Sequence, residues 1–119
     1  MANACFELAK GSITIDTDVI SKIAGIIATG CYGVVGMAYR SKSDEFASLL
    51  KRDSITKGIK VTVADKTVNV DIHIIIQYGV NINAVCNSII NNVKYQVNYM
   101  TGLDVGEVNV CVEGFRVQE

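Results

Sequence analysis

The stretch NVKYQVNYMTGLDVGEVNVCVEGFRV, Asn92 to Val117, changes its apolar rhythm in the middle. As far as Met100 the apolar residues recur every three or four positions, the repeat of an amphipathic helix. From Val105 they recur every second position, the repeat of a strand with one buried face. Thr101-Gly102 stands at the join, and glycine tolerates the left-handed backbone that ends a helix and turns the chain back. Working backwards from the join at about 100° per residue, Ile82, Val85, Cys86, Ile89, Val93, Val97 and Met100 gather into one stripe, with Asn87, Asn91, Lys94 and Asn98 opposite. The spacing predicts a helix from Asn81 to about Met100. Burying each aliphatic side chain of that stripe is worth roughly 1.5–3 kcal/mol, so the helix must lie on a sheet. The strand after it, Val105 to Val112, supplies one: Val108, Val110 and Val112 share a face, and Asn109, Cys111 and Glu113 share the other.

The same reading extends upstream. In GSITIDTDVISKIAGIIATG a short strand, Ser12 to Ile15, leads to Asp16, whose carboxylate suits an N-cap, with Asp18 in the positive first turn. Val19, Ile20, Ile23, Ala24 and Ile27 form one helical face, and Gly30 is a stop. YGVVGMAYR reads as a second strand. SKSDEFASLLKRDS reads as a short surface helix, capped by Ser43, with Asp44 and Glu45 at its positive end and Lys51 and Arg52 at its negative end. From Gly58 the period becomes two: Ile59, Val61 and Val63, a turn at Ala64-Asp65-Lys66, then Val68, Val70, Ile72, Ile74 and Ile76, which is a β-hairpin with one buried face. The order β-α-β-(short α)-β-β-α-β predicts two β-α-β units around a hairpin. The fold class is α/β (α+β): a two-layer sandwich with a mixed β-sheet and two main helices on one face. Strand order does not follow from these patterns.

A chain of 119 residues, half of them hydrophobic and 19% charged, fits one domain over residues 1–119, with its core at about 11–115. Its apolar runs are far shorter than the roughly 20 residues of a membrane span, and its N-terminus lacks a secretory signal. A cytoplasmic location without direct membrane insertion is therefore expected. Cys5, Cys31, Cys86 and Cys111 contain no C-x-x-C pair and are expected as reduced thiols packed like small hydrophobes.

Few residues of the chain suggest chemistry. Hydrolysis and group transfer need a nucleophile with a base, two converging carboxylates, or a metal. The single histidine, His73, shares its strand face with Asn69, Asp71 and Gln77. The Asp71/His73 pair reads as a polar solvent face, not as the start of a catalytic or metal site, so no catalytic residue, metal ligand or cofactor is expected. Gly33-Val34-Val35-Gly36 has the G-x-x-G form with which KH domains clamp nucleic acid, but that loop joins two helices and is polar or basic. A tight turn fits better. Arg40, Lys42, Lys51, Arg52, Lys57 and Lys60 make the middle segment locally basic, yet 11 Lys+Arg stand against 12 Asp+Glu overall. A KH-like RNA-binding module is thus the alternative function, and nucleic acid is not the expected partner.

The outer side of the long helix is less ordinary. It carries Asn83, Asn87, Asn91, Asn92 and Asn98, with Lys94 its only charge and Tyr95 nearby. Asparagine is a poor helix former, and a face with so little charge is easily desolvated. Asn87, Asn91, Lys94, Tyr95 and Asn98 are therefore the expected partner surface.

Three blocks, GSITIDTDVISKIAGIIATGCYGVVGM, GIKVTVADKTVNVDIHIIIQYGVNI and VKYQVNYMTGLDVGEVNVCVEGF, resemble the signature regions of the alkaline shock, or envelope stress response (general stress), protein family of Gram-positive-type bacteria. The resemblance runs from about Gly11 to Phe115. It is most specific at Tyr78-Gly79, Met100-Thr101-Gly102-Leu103 and Val108-Asn109-Val110. It implies a non-enzymatic cytoplasmic protein acting as a protein-interaction scaffold near the cytoplasmic face of the membrane. Its implied partners are proteins, among them a small membrane-anchoring family member, and homo-oligomers also occur in such a family. The resemblance implies charged extensions in larger members, of which this sequence shows almost none. The chain resembles the minimal single-domain form, to which stress induction and membrane recruitment transfer with less force. The resemblance brings no catalytic motif with it.

Overall fold

The structure, a computed structural model, describes residues 3–38 and 58–117. Strands β1 (Asn3–Leu8) and β2 (Gly11–Asp16) form an antiparallel hairpin of their own. Helix α1 (Thr17–Gly30) follows directly, capped as its sequence predicts: the Asp18 amide donates to Asp16 Oδ1 at 3.0 Å. Then come β3 (Val34–Met37), β4 (Ile59–Ala64), β5 (Thr67–Gln77), helix α2 (Ile82–Thr101) and β6 (Asp104–Arg116). The short helix expected at Ser43 to Arg52 lies outside the described residues.

β5 is the axis of the second sheet. One of its edges pairs in parallel with β6 along its whole length. The other pairs antiparallel with β4 over Thr67–Ile72 and with β3 over Ile74–Ile76, so β3 and β4 lie end to end. They meet at His73, whose carbonyl accepts from the Ala38 amide (3.0 Å) and whose amide donates to the Gly58 carbonyl (2.9 Å). Gly58 has φ 75°, and a Cβ there would come within 1.9 Å of the Ala38 carbonyl oxygen, so the junction has no room for a side chain.

The expected sandwich of a mixed sheet with two main helices is thus present. Val68, Val70, Ile72, Ile74 and Ile76, every second residue of β5, are buried in one cluster with Ile20, Ile23, Ala24 and Ala28 of α1 and Val85, Ile89, Val93 and Val97 of α2. Among the described residues, only β5-α2-β6 is a parallel crossover. The first strand-helix-strand run differs from expectation because β2 pairs with β1 and β3 runs antiparallel to β5. β1 itself went unpredicted, although Ala4 is fully buried and Phe6 packs against the core with the Lys66 ammonium 5.6 Å from its ring centroid.

Three stripe assignments change. Val19, Ile82 and Met100, each in an end turn of its helix, are 46%, 49% and 62% exposed, although Ile20 beside Val19 is fully buried. The Thr101-Gly102 join is as expected: Gly102 has φ 76° and its amide donates to the Asn98 carbonyl at 2.8 Å, which caps α2 and turns the chain into β6.

Candidate functional site

Two surfaces carry chemistry, one on each side of the sandwich. The first is the sheet face turned away from the helices. Parallel pairing sets His73 opposite Cys111 and Asp71 opposite Asn109, and alternation puts these side chains on the face opposite the Ile72 and Ile74 core. Two irregularities shape it. Between Val68 and Val70, β6 holds two residues against one of β5. Gly106 packs there so tightly that a Cβ would lie 2.6 Å from Asn69 Oδ1, while that oxygen accepts from the Glu107 amide at 2.9 Å. Between Ile74 and Ile75, β6 holds one extra residue, Glu113. Such a bulge re-aims a side chain, and Glu113 Oε2 lies 3.2 Å from His73 Nδ1. Asn109 Nδ2 donates to Asp71 Oδ1 at 2.9 Å.

The expected Asp71/His73 pair is therefore divided: each takes its partner from β6, not from the other. The sequence reading assigned His73 no carboxylate from a distant strand, and Glu113 corrects that. One potential ligand atom each from His73, Cys111 and Glu113 lies within 4.8 Å of the others. His73 has a quarter of its side chain exposed, and Glu113 about half.

The second surface is the outer side of α2. Asn91, Lys94, Tyr95 and Asn98 line a shallow depression with Asp104 and Val105, whereas Asn87, though exposed, is not part of it. Asn98 serves the fold as well, its amide donating to the Leu103 carbonyl at 2.9 Å. Asn92 turns toward α1, donating to Ser88 Oγ at 3.3 Å and reaching Cys31 Sγ at 3.9 Å. The expected set lacked Tyr99. Tyr95 and Tyr99 stack with ring planes 7° apart and centroids 6.1 Å apart, and they are 64% and 76% exposed. Their i, i+4 spacing was the available signal.

Elsewhere, an apolar groove of about 440 Å³ lies at the end of the sheet. Tyr78 and Phe115 meet edge to face beside it, and Ile82 lines it. The turn at Gly33 joins α1 to β3. A Cβ on Gly33, with φ 91°, would sit 2.9 Å from Val85 Cγ2, so this G-x-x-G segment is a packed turn and does not present a loop between two helices. None of the four cysteines is in a disulfide. Burial raises the Cys86 thiol pKa above its usual value. No helix among the described residues is long and apolar enough to cross a membrane.

Comparison with known proteins agrees with the resemblance read from the sequence. The chain is 37% identical over 108 residues to the uncharacterised protein YloU of Bacillus subtilis, covering 90% of each chain. It is 38% identical over 108 residues to the uncharacterised protein Spy1614 of Streptococcus pyogenes, covering 90% of this chain and 89% of that one. It is 34% identical over 113 residues to a stress response regulator gls24 homolog of the same species, covering 92% of this chain and 62% of the longer relative. No solved structure shows significant similarity to it. A family model described as having a cell envelope-related function matches residues 6–117. The chain therefore belongs to the alkaline shock protein 23 family.

Proposed function

We propose that this protein is a non-enzymatic scaffold of the envelope or alkaline stress response, which binds a membrane-anchoring family partner through the outer side of α2 and is thereby held at the cytoplasmic face of the membrane. The observation that carries this reading is the Tyr95–Tyr99 stack, two large rings exposed on a helix whose only charged residue is Lys94, with Asp104 the one further charge lining the depression beside them. Exposed aromatic pairs with little surrounding charge are what protein interfaces bury, because they supply much contact area for little ordering entropy and little charge desolvation. The family's cell envelope-related function and the stress-regulator relative support the same reading.

The test is cell fractionation with Tyr95→Glu/Tyr99→Glu against the unsubstituted protein in a Gram-positive host. The two positions are exposed, so the variant is expected to fold, which circular dichroism checks. The unsubstituted protein is expected in the membrane fraction, released by substituting the tyrosines and untouched by nuclease. Equal distribution of the two proteins would defeat the α2 assignment, and release by nuclease would replace the scaffold with the RNA-binding alternative. Asn98 is left unsubstituted because its bond to Leu103 would confuse assembly with stability.

A further inference from the structure

We propose that His73, Cys111 and Glu113, on the sheet face opposite the helices, form a binding site for a borderline-soft divalent transition ion of which Zn²⁺ is the type, with water in the fourth position.

The ligand set is assembled by the fold, from two strands about forty positions apart in sequence. Parallel register makes His73 and Cys111 direct neighbours across β5 and β6, which sets their backbones roughly 4.8 Å apart. Glu113 is the extra residue that β6 holds between Ile74 and Ile75, and its carboxylate lies 3.2 Å from His73 Nδ1. Two ligands bound to one tetrahedral metal, with bonds of about 2.0–2.3 Å, stand roughly 3.3–3.8 Å apart. The His73–Glu113 separation is already near that spacing, and the 4.8 Å limit on the whole triad closes with small rotations of the exposed Cys111 and Glu113 side chains.

Ligand chemistry then selects the ion. Thiolate with imidazole disfavours Mg²⁺ and Ca²⁺, which require oxygen shells, whereas one nitrogen, one sulfur and one oxygen suit Zn²⁺ and its neighbours. Coordination replaces the Cys111 S–H proton, released to solvent, by an S–metal bond. It also replaces the His73–Glu113 contact by two bonds to the same ion. Asp71, two residues along β5 and held by Asn109 at 2.9 Å, adds negative charge on the same face. The competing explanation is an ordinary surface hydrogen bond between His73 and Glu113. That explanation gives Cys111 no part, and this is where the two diverge.

The experiment uses the full chain, reduced with a phosphine and stripped with EDTA, titrated with Zn²⁺ against a chromophoric chelator and separately with Co²⁺. One ion per chain is expected, with a thiolate-to-cobalt charge-transfer absorption. Cys111→Ser and His73→Ala are each expected to weaken Zn²⁺ binding by at least about tenfold, and Glu113→Gln by less. Cys5→Ser, on the separate β1–β2 hairpin, should change neither affinity nor spectrum. Zn²⁺ should shield Cys111, but not Cys5, from iodoacetamide in peptide mapping. Circular dichroism of each variant separates a lost ligand from a lost fold. Unchanged Zn²⁺ affinity in Cys111→Ser, absence of the cobalt charge-transfer band, or equal alkylation of Cys111 with and without Zn²⁺ would each overturn the site.

Discussion

Replacing Val93 tests the packing on which the fold rests. Its side chain is fully buried between α2 and the sheet, within the cluster that includes Ile72, Ile89 and Val97. Val93→Ala deletes two carbon groups, a transfer loss of about 1.6 kcal/mol, and a partly collapsed cavity brings the total to about 2–3 kcal/mol. With an unfolding entropy of about 2.1 cal/mol/K per residue, each kcal/mol corresponds to about 4 °C in a chain of this length, so Tm should fall by about 8–12 °C. Val93→Asp should do much more. Among the described residues no buried polar group is there to partner a carboxylate in that cluster, and its desolvation costs several kcal/mol against a total stability of about 5–15 kcal/mol. The chain should then lose its cooperative transition or melt far lower. Asn91, two residues back and exposed, is the control: Asn91→Asp should stay within about 0.5 kcal/mol, or about 2 °C. Thermal denaturation followed by far-ultraviolet circular dichroism, repeated in urea, measures all three. Equal Tm values for Val93→Asp and Asn91→Asp would refute the orientation of α2 and with it the shared core.

Two further outcomes follow from particular positions. Gly58→Ala places a Cβ 1.9 Å from the Ala38 carbonyl oxygen at φ 75°. It should cost more than the roughly 1–2 kcal/mol of the left-handed backbone alone, whereas Gly30→Ala, with open space around it at the end of α1, should be neutral or stabilising by up to about 1 kcal/mol; urea melts of the pair decide. At mildly alkaline pH and without metal, Cys86 should be alkylated more slowly than the exposed Cys5 and Cys111, because burial raises its pKa and leaves less thiolate. Peptide mapping over time checks the order, and Cys86 reacting first would contradict its placement.

Much of the architecture was legible locally. The period change at Thr101-Gly102 marked the end of α2 and the start of β6 within a residue or two, since a left-handed glycine and a switch from one apolar repeat to the other are both properties of adjacent residues. Asp16 and the Ala64-to-Lys66 turn were legible for the same reason. β1 carried a fainter signal, Ala4, Phe6 and Leu8 alternating with Cys5 and Glu7, and its pairing with β2 is what makes it a strand. The exposed ends of the helical stripes, Val19, Ile82 and Met100, could not be foreseen from periodicity. A stripe shows which side of a helix is apolar, not how much of that side, end turns included, its neighbours cover.

The candidate sites divide along the same line. The uncharged side of α2 was visible because it is a property of one helix, and Tyr99 could have been added by counting four from Tyr95. The company of His73 was not visible. Glu113, at the bulge of β6, meets it across the parallel β5–β6 pairing, and Cys111 faces it only in that register.

By itself, the order of residues determined the two main helices and most of the strands, the junction between α2 and β6, which side of each of these is apolar, and the family, because these depend on near neighbours along the chain. The tertiary structure alone decided which strands pair, in what register and with what bulges. Those choices balance packing and hydrogen bonding across the whole sheet, and they bring His73, Cys111 and Glu113 together on one face.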